Sequence, residues 1–442
     1  MKYCKRCLYP ENHPYGILFD SDGVCSGCRV HEEKDNLDWP YRFKKLEKIL
    51  LDIKEHNKGR GFDCIVPVTG GGDSHFIVHM VKNVLGLEPL LVNYNHHYNT
   101  KIGIRNLANL ATVFDCDLIK STHSPDLLRK ITHHTIKHYG SMYWHVLAGN
   151  STFPVQVAVK YNIPLIIWGV QGWAEQTGMF SHFDEVEMTE RCRKEHSLFG
   201  VSAEMLKNSE IIHRDIKGFL YPSDKEIGEV GVRGIYLSNY IRWDSKTQNE
   251  LMIDLYGYES TLQQRTFNTY EDVHCHHSAG LHDYLKYMKL GYSKVTDHAS
   301  REIRLARMTK EEGIDLVNKY SKVIPKDTKM FLDWCGMSEK DFFSYVVDNR
   351  DTKIWSKNTD NEWELKDSID NHKYDEGIEK FRLNKCENCE FIDTSNGKTF
   401  ESEDSYLLMG RGYIDKYNFG ALDNQPKGMQ FKPRNNNNSL ID

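Results

Sequence analysis

The chain has 442 residues, of which 39% are hydrophobic and 27% charged, with 31 glycines and 12 prolines. These proportions exclude a collagen-like or mainly disordered chain, and the length allows about two to four domains. The formal net charge is −6. This charge gives no general attraction to nucleic acid or to an anionic membrane, and we predict neither as a partner.

No apolar run approaches the roughly 20 residues that a membrane span needs. The first seven residues carry charges without a following apolar stretch, so we expect no secretory signal and a cytoplasmic protein. In that compartment the eleven cysteines are expected to be metal ligands or thiols rather than disulfides.

Two cysteine pairs mark the N-terminal segment. Cys4 and Cys7 form one CxxC motif, Cys25 and Cys28 form the second, and seventeen residues separate the motifs. This spacing predicts a structural Zn²⁺ site with four thiolate ligands, in a segment too poor in apolar residues to fold unaided. An iron–sulfur cluster, which also uses four thiolates, is the alternative.

Strand-like and helix-like patterns then alternate. The predicted strands are residues 64–68, 89–94, 117–120 and 164–169, and the predicted helices are 74–84, 102–114 and one that ends near residue 161. Such alternation predicts an α/β fold with a parallel sheet covered by helices on both faces. From about residue 179 the pattern becomes mostly helical.

A glycine-rich loop lies between the first predicted strand and the next helix. Its residues are Thr69, Gly70, Gly71, Gly72, Asp73 and Ser74. Consecutive glycines let the backbone turn tightly and approach a ligand, and the helix that follows favours anions at its N-terminus. The loop matches neither the Walker A nor the dinucleotide-binding pattern. We predict a phosphate site here, with Mg²⁺ between Asp73 and the phosphates.

The loop resembles the S-G-G-x-D-S loop of the PP-loop ATP pyrophosphatase superfamily, with Thr69 replacing the first serine and Gly72 at the variable position. Longer stretches resemble the N-acetyl sugar amidotransferase family of PseA- and WbpG-like proteins. These stretches are residues 62–68, 95–107, 140–145 and 296–304. The resemblance runs from Cys4 to about Trp355 and does not clearly cover the tail.

This resemblance implies a cofactor set and a reaction. The superfamily cleaves ATP between its α and β phosphates and adenylates a carbonyl oxygen, which here assigns Asp73 and Ser74 to catalysis with Mg²⁺ and ATP. The family converts the acetamido group of a nucleotide-linked sugar, of the nonulosonic acid or O-antigen type, into an acetamidino group. No glutaminase motif surrounds any cysteine. The resemblance implies that ammonia comes from a separate glutamine-hydrolysing subunit, or from free ammonium in vitro.

The sequence pattern, together with the resemblance, divides the chain into four regions. We predict a zinc ribbon and helix over residues 1–55, a PP-loop ATP-binding domain over 56–235, and a mainly helical substrate-binding region over 236–385. Residues 386–442 are predicted to be a partly disordered tail, which contains a further CxxC motif at Cys386 and Cys389.

Candidate binding residues follow the second predicted strand and lie in the family-like stretches. Asn93, at the end of that strand, is assigned to ATP. The predicted substrate-binding residues are His96, Asn99, Arg105, Trp144, His145, His298 and Arg301. Arginine binds carboxylate or phosphate with two parallel hydrogen bonds, and tryptophan stacks on a base or sugar. Packing or a surface position is the alternative for each residue.

One departure from the family concerns a carboxylate. Many relatives carry Gly-Glu-Asn after the fourth strand, whereas this chain has Gly-Val-Gln-Gly at residues 169–172. We expect Glu175 or Glu185 to replace the missing carboxylate.

Two other functions fit parts of the sequence. The first is a PP-loop enzyme that modifies tRNA, a thiolase or a lysidine-type ligase, which the −6 charge and the lack of a Lys/Arg-rich region disfavour. The second is a non-catalytic zinc-ribbon protein that binds nucleotide, which the presence of Asp73 and Ser74 disfavours.

Overall fold

The structure, a computed structural model, describes residues 1–56, 61–97, 99–271, 273, 278–379 and 390–395. Most of the predicted tail, including Cys386 and Cys389, lies outside the described residues. Within them, no helix has the length and apolar character required to cross a bilayer.

Five parallel strands form the central sheet. They are β1 (Cys64–Pro67), β2 (Pro89–Tyr94), β3 (Leu118–Ser121), β4 (Leu165–Trp168) and β5 (Arg233–Tyr236), in the order β3-β2-β1-β4-β5. β1 pairs with β2 from Cys64 opposite Pro89 to Pro67 opposite Val92, and Ile65 lies opposite Ile166 of β4. The strand order reverses beside β1, and ligands of such sheets bind at the carboxyl ends of strands at this point.

Helices surround the sheet and form the C-terminal region. Those before β5 are α1 (Ser26–Glu33), α2 (Trp39–His56), α3 (Gly72–Val78), α4 (Lys101–Val113), α5 (Pro125–Tyr139), α6 (Trp144–Tyr161), α7 (Gly172–Thr177), α8 (His213–Ile216) and α9 (Asp224–Val230). Those after it are α10 (Ser245–Tyr256), α11 (Ala279–Leu290), α12 (Lys294–Arg304), α13 (Lys310–Tyr320), α14 (Thr328–Cys335) and α15 (Glu339–Val347). A short antiparallel hairpin of β6 (Trp355–Lys357) and β7 (Trp363–Leu365) follows.

Helices bury both faces of the sheet, and the side chains of each strand alternate between those two faces. On one face, Cys64 and Val66 of β1 pack in the cluster that contains Leu46 of α2 and Met252 of α10. On the other face, Ile65 packs in a cluster with residues of α6 and α9. The predicted α/β class with a parallel sheet and a mostly helical C-terminal region is therefore confirmed.

The sequence pattern missed the fifth strand. In β5, Arg233 is exposed and Gly234 has no side chain, which leaves only Ile235 as a fully buried apolar residue. A strand at the sheet edge needs no continuous apolar run, so its local pattern was too weak to predict it. The strand ends at Tyr236, one residue beyond the predicted ATP-binding region.

The cysteine-rich segment packs on the C-terminal helices. Leu8 lies in one apolar cluster with Val295 and Ile303 of α12 and Ile314 of α13. The N-terminal segment therefore contacts α12, although nearly 300 residues separate them in sequence.

Candidate functional site

The four predicted zinc ligands converge on one point. Cys4, Cys7, Cys25 and Cys28 are fully buried, and their sulfur atoms all lie within 4.8 Å of one another. The Sγ–Sγ distance is 3.9 Å between Cys4 and Cys28 and 3.6 Å between Cys7 and Cys25. Four thiolates bound to zinc at about 2.3 Å lie about 3.8 Å apart, whereas a disulfide needs about 2 Å. The cluster thus fits a tetrahedral metal site.

Arg304 of α12 offsets the negative charge that four thiolates would concentrate. Its Nε lies 3.4 Å from Cys28 Sγ, and its Nη2 lies 3.6 Å from Cys25 Sγ. The same guanidinium donates to the carbonyl oxygens of Glu175 and Gln176 in α7, at 2.7 and 3.0 Å. Arg304 therefore connects the cysteine cluster to two helices that border the cavity described below.

The glycine-rich loop follows β1 at the point where the strand order reverses. Gly70 has φ +90°, a conformation that a side chain would strain. The Thr69 N–H donates to Ser74 Oγ at 3.1 Å, and the two hydroxyl oxygens lie 3.4 Å apart. Thr69 and Ser74 thereby hold the two ends of the loop together, with Asp73 at the start of α3.

Gly72 occupies a position with no room for a side chain. A Cβ built on it would lie 1.5 Å from Asn249 Oδ1 and 2.9 Å from the ring of Tyr258. Asn249 of α10 in turn donates to Asp73 Oδ1 at 3.1 Å. The contact with α10 thus explains why glycine stands at the variable position of this loop.

We expect Gly72→Ala to destabilise the protein by about 1–3 kcal/mol, because Asn249 must move away and release Asp73. Thermal or urea unfolding measures the effect. Gly228→Ala is the matched control, since Gly228 lies in α9 with nothing within 4 Å of its built Cβ, and this change should be neutral or stabilise by about 0.5–1 kcal/mol. Equal stability of the two variants would contradict the proposed packing at residue 72.

A cavity of about 420 Å³ lies between the glycine loop, α7, α10, α11 and α12. Its size is in the usual range for small-molecule sites. The charged residues that line it are Asp73, Glu175, Glu271, Asp283, Lys286, Lys294, Asp297, Arg301 and Arg304. Several are already paired: Lys286 Nζ lies 2.6 Å from Asp297 Oδ2, and Asp283 lies 2.7 Å from Nε of Arg265.

Asp73 and Glu271 both line this cavity, and their pKa values are shifted in opposite directions. Burial and the nearby negative charge of Glu271 raise the pKa of Asp73 from 3.8 to about 7. Burial also opposes ionisation of Glu271, but Arg301 and His298 outweigh it and hold the pKa of Glu271 well below its usual value. His298 Nε2 lies 2.6 Å from Glu271 Oε2, and Arg301 also contacts this carboxylate. The arrangement provides a stable anion beside a carboxyl group that titrates near neutral pH.

Only one of the two glutamates that were expected to replace the missing carboxylate lies at the cavity. Glu175 lines the cavity and lies 2.7 Å from Lys34 Nζ, whose positive charge it partly offsets. Glu185 is not among the lining residues and pairs with Lys45. Glu271 was not predicted at all. It lies in an irregular segment without a motif, about 200 residues after Asp73, so no local sequence pattern could have indicated it.

Other predicted residues lie in a narrow crevice at the carboxyl ends of β1, β2 and β3. Thr69, Asn93, His96 and Asn99 line it. Asn93 Nδ2 donates to the carbonyl oxygen of Val68 at 2.8 Å, which ties β2 to the start of the loop. The crevice holds about 10 Å³, or roughly one water molecule, so a base could enter only if these side chains moved apart.

Three predicted substrate-binding residues line neither cavity. Arg105 forms a bidentate ion pair with Glu259, with 2.9 Å contacts from Nε and Nη2. Trp144 is buried and donates to the carbonyl oxygen of Val201 at 2.8 Å. His145 is buried beside Tyr94, with 3.1 Å between Nδ1 and the Tyr94 hydroxyl. Of the predicted substrate-binding residues, only His298 and Arg301 line the cavity that contains Asp73.

A family model matches part of the C-terminal region. Residues 264–369 match the model of the C-terminal domain of LPS biosynthesis WbpG-like proteins. The matched stretch contains Glu271, His298 and Arg301, all of which line the cavity. The match supports the expected relationship to WbpG-like proteins over this stretch of the chain.

Two further similarities are weaker. An uncharacterized protein of Methanocaldococcus jannaschii is 26% identical over 118 residues, which cover 26% of this chain and 41% of that protein. The alignment thus spans less than half of that relative. The structure of NMN synthetase from Francisella tularensis aligns with 51% of this chain and 98% of its own, at 12% identity and a TM-score of 0.25. That similarity is too low to support a shared mechanism.

Proposed function

We propose that this protein is an ATP-dependent amidotransferase that converts the N-acetyl group of a nucleotide-linked sugar into an acetamidino group. One observation carries the proposal. Helix α12, inside the stretch similar to WbpG-like proteins, presents His298 and Arg301 to the same cavity as Asp73 of the glycine loop. An ATP-activating loop and a sugar-modifying domain would thus share one reaction space.

The chemistry needs activation because an amide carbonyl is a poor electrophile. In the proposed reaction the amide oxygen attacks the α-phosphorus of ATP, and pyrophosphate leaves. Ammonia then adds to the activated carbon, AMP departs with the former amide oxygen, and a proton is lost. Binding both reactants in one cavity supplies the required positioning.

The residues around the cavity suit these roles. The glycine loop, with the hydroxyls of Thr69 and Ser74, would hold the phosphates of ATP. Asp73 would bind Mg²⁺, which neutralises charge on the leaving pyrophosphate. Nη2 of Arg301 has no hydrogen-bond partner within the described residues, so it is suited to contact an anionic oxygen of the substrate. We assign the four cysteines to a structural Zn²⁺.

Ammonia would come from a separate glutamine-hydrolysing subunit in the cell, or from ammonium salts in vitro. The test therefore uses purified protein with ATP, Mg²⁺, ammonium and a panel of CMP- and UDP-linked N-acetylated sugars. AMP, pyrophosphate and the sugar mass are followed together. Exchange of oxygen for NH lowers the sugar mass by about one dalton, and we expect this shift with one AMP formed per sugar.

Reactions without ammonium and with the corresponding N-deacetylated sugars are the controls, and neither should give the mass shift. AMP formation that depends on added tRNA, with no sugar product, would contradict the proposal and favour the tRNA-modifying alternative. Absence of AMP with every sugar and tRNA tested would favour a non-catalytic nucleotide-binding role.

A further inference from the structure

Glu271 lies in a stretch of chain without helix or strand. This stretch, residues 257–271, follows the end of α10 and reaches the cavity that contains Asp73. We call it the cavity segment. Asn268 Oδ1 accepts from the backbone N–H groups of Tyr270 and Glu271, at 2.7 and 3.0 Å, but these bonds lie within the segment itself. Because irregular chain has no regular ladder of hydrogen bonds, the position of Glu271 depends on contacts with other parts of the protein.

Residues 390–395 bind the cavity segment close to its carboxylate. The carbonyl oxygen of Ile392 accepts from the hydroxyls of Ser260 and Thr269, at 2.5 and 2.7 Å. The N–H of Ile392 donates to the Tyr270 hydroxyl at 3.1 Å. The backbone of this one residue therefore ties the beginning of the cavity segment to the two residues that precede the carboxylate.

Thr394 and Phe391 add to the same contact. Thr394 Oγ1 accepts from the Ser260 N–H at 2.9 Å and donates to the Ser260 carbonyl oxygen at 3.0 Å, and the Thr394 N–H donates to Ser260 Oγ at 3.2 Å. The ring centre of Phe391 lies 5.1 Å from that of Tyr270 and 5.4 Å from that of Phe267. Ser260 and Tyr270 are buried, so loss of these hydrogen bonds would leave buried polar groups unpaired.

Tyr270 connects these contacts to the reaction site. Its hydroxyl donates to Glu250 Oε1 of α10 at 3.1 Å. Its carbonyl oxygen accepts from the Tyr258 hydroxyl at 2.7 Å, and the Tyr258 ring lies against Gly72 of the glycine loop. The residue next to Glu271 is thus held from two sides, by the C-terminal residues and by the elements around the glycine loop.

We propose that residues 391–394, the C-terminal clamp, position Glu271 in the cavity and, through it, the side chains that meet the substrate. Glu271 pairs with His298 and Arg301 of α12, so a shift of its carboxylate would release both predicted substrate-binding residues. The clamp lies outside residues 264–369, the stretch that matches WbpG-like proteins. Its effect on the substrate rests on the proposed function, whereas the positioning of Glu271 does not.

Thr394→Val tests the clamp, because it removes a hydroxyl at nearly constant volume and leaves the backbone of Ser260 without two partners. Amide hydrogen exchange of the full-length protein measures the result, with circular dichroism to verify folding. We expect exchange in residues 258–271 to become at least about tenfold faster, with unchanged exchange in β1 and β4. Thr394→Ser, which keeps the hydroxyl, should match the wild type. Ser395→Ala is the matched control, since its hydroxyl donates to Asp393 in the same piece of chain.

Steady-state kinetics separate positioning from general stabilisation. In Thr394→Val, kcat/KM for the nucleotide-linked sugar should fall at least about tenfold, because Arg301 loses its fixed partner. The KM for ATP should change less than about twofold, because the glycine loop keeps its contacts with α10. Phe391→Leu, which removes the aromatic contact with Tyr270 but no hydrogen bond, should give the same split with a smaller decrease.

The two measurements distinguish failure of the clamp from failure of the proposed function. If the wild type forms no AMP with any sugar, the proposed function fails, and hydrogen exchange alone decides whether the clamp holds the cavity segment. Wild-type exchange in residues 258–271 of Thr394→Val would overturn the clamp. Equal changes in the kinetic constants for ATP and for the sugar would show a general loss of stability and would overturn the positioning role.

Discussion

Asp73→Asn is expected to reduce AMP formation by about 10²–10³-fold or more while raising the thermal stability of the protein at pH 8. The loss of activity follows if Asp73 binds Mg²⁺ beside the phosphates, because asparagine is a much weaker ligand. The gain in stability follows from the position of the carboxyl group, which is half-buried in the cavity wall near Glu271. A residue that is retained at a cost to stability is characteristic of a functional site.

The stability effect has a defined pH dependence. The pKa of Asp73 is raised from 3.8 to about 7 in the folded protein. Between these values the unfolded chain ionises and the folded protein does not, so the wild type loses stability as pH rises, and the loss is complete above pH 7. Asparagine does not titrate. The melting temperature of Asp73→Asn should therefore exceed that of the wild type by more at pH 8 than at pH 5.5.

Melting curves in Mg²⁺-free buffer at these two pH values, with AMP assays, measure both effects. The difference between the two pH values should be on the order of 2 kcal/mol. Asp333→Asn is the matched control, because this aspartate is 67% exposed on α14 and should change neither property. An Asp73→Asn protein that keeps AMP formation within tenfold of the wild type, or that is less stable at pH 8, would contradict the assignment.

Cys25→Ser is expected to lower the metal content from one Zn²⁺ per chain to near zero and to reduce the melting temperature by about 5–15 °C. The cysteine sulfurs lie at the spacing of a tetrahedral zinc site, and the segment that carries them packs on α7 and α12. Activity should fall as well, since Tyr9 and Arg304 line the cavity and both are positioned by this segment.

Metal analysis and thermal unfolding test this prediction. Cys116→Ser is the control, because this half-buried thiol lies outside the cluster and its replacement should leave the zinc content unchanged. Iron in the purified protein, with visible absorption, would favour the iron–sulfur alternative. Full zinc content and an unchanged melting temperature in Cys25→Ser would show that the cluster is not a metal site.

The elements that sequence reasoning predicted well are those whose cause is local. Residues 89–94 were predicted as a strand with the observed bounds, because a continuous apolar run suits a buried strand of a parallel sheet. Paired CxxC motifs predicted the cysteine cluster for a similar local reason. The two cysteines of each motif are three residues apart, so a tight turn brings both sulfurs to one metal ion. β5 was missed because an edge strand can form with little apolar character.

Residue roles were harder to predict than residue positions. Arg105 and His298 were both chosen from family-like stretches, yet Arg105 pairs with Glu259 and His298 lines the cavity. Nothing near either residue in sequence distinguishes the two outcomes, because the partner of each lies more than 25 residues away along the chain.

The sequence by itself determined the α/β class, the cysteine cluster and a glycine loop between the first strand and its helix. Each follows from a short pattern in which neighbouring residues supply the physical cause. Only the tertiary structure decided that Glu271 lies near Asp73, that Asn249 excludes a side chain at residue 72, and that Arg304 lies against the cysteine sulfurs. These contacts join residues about 175 to 280 positions apart. The packing of α10 against α3 and of α12 against the cysteine-rich segment creates them.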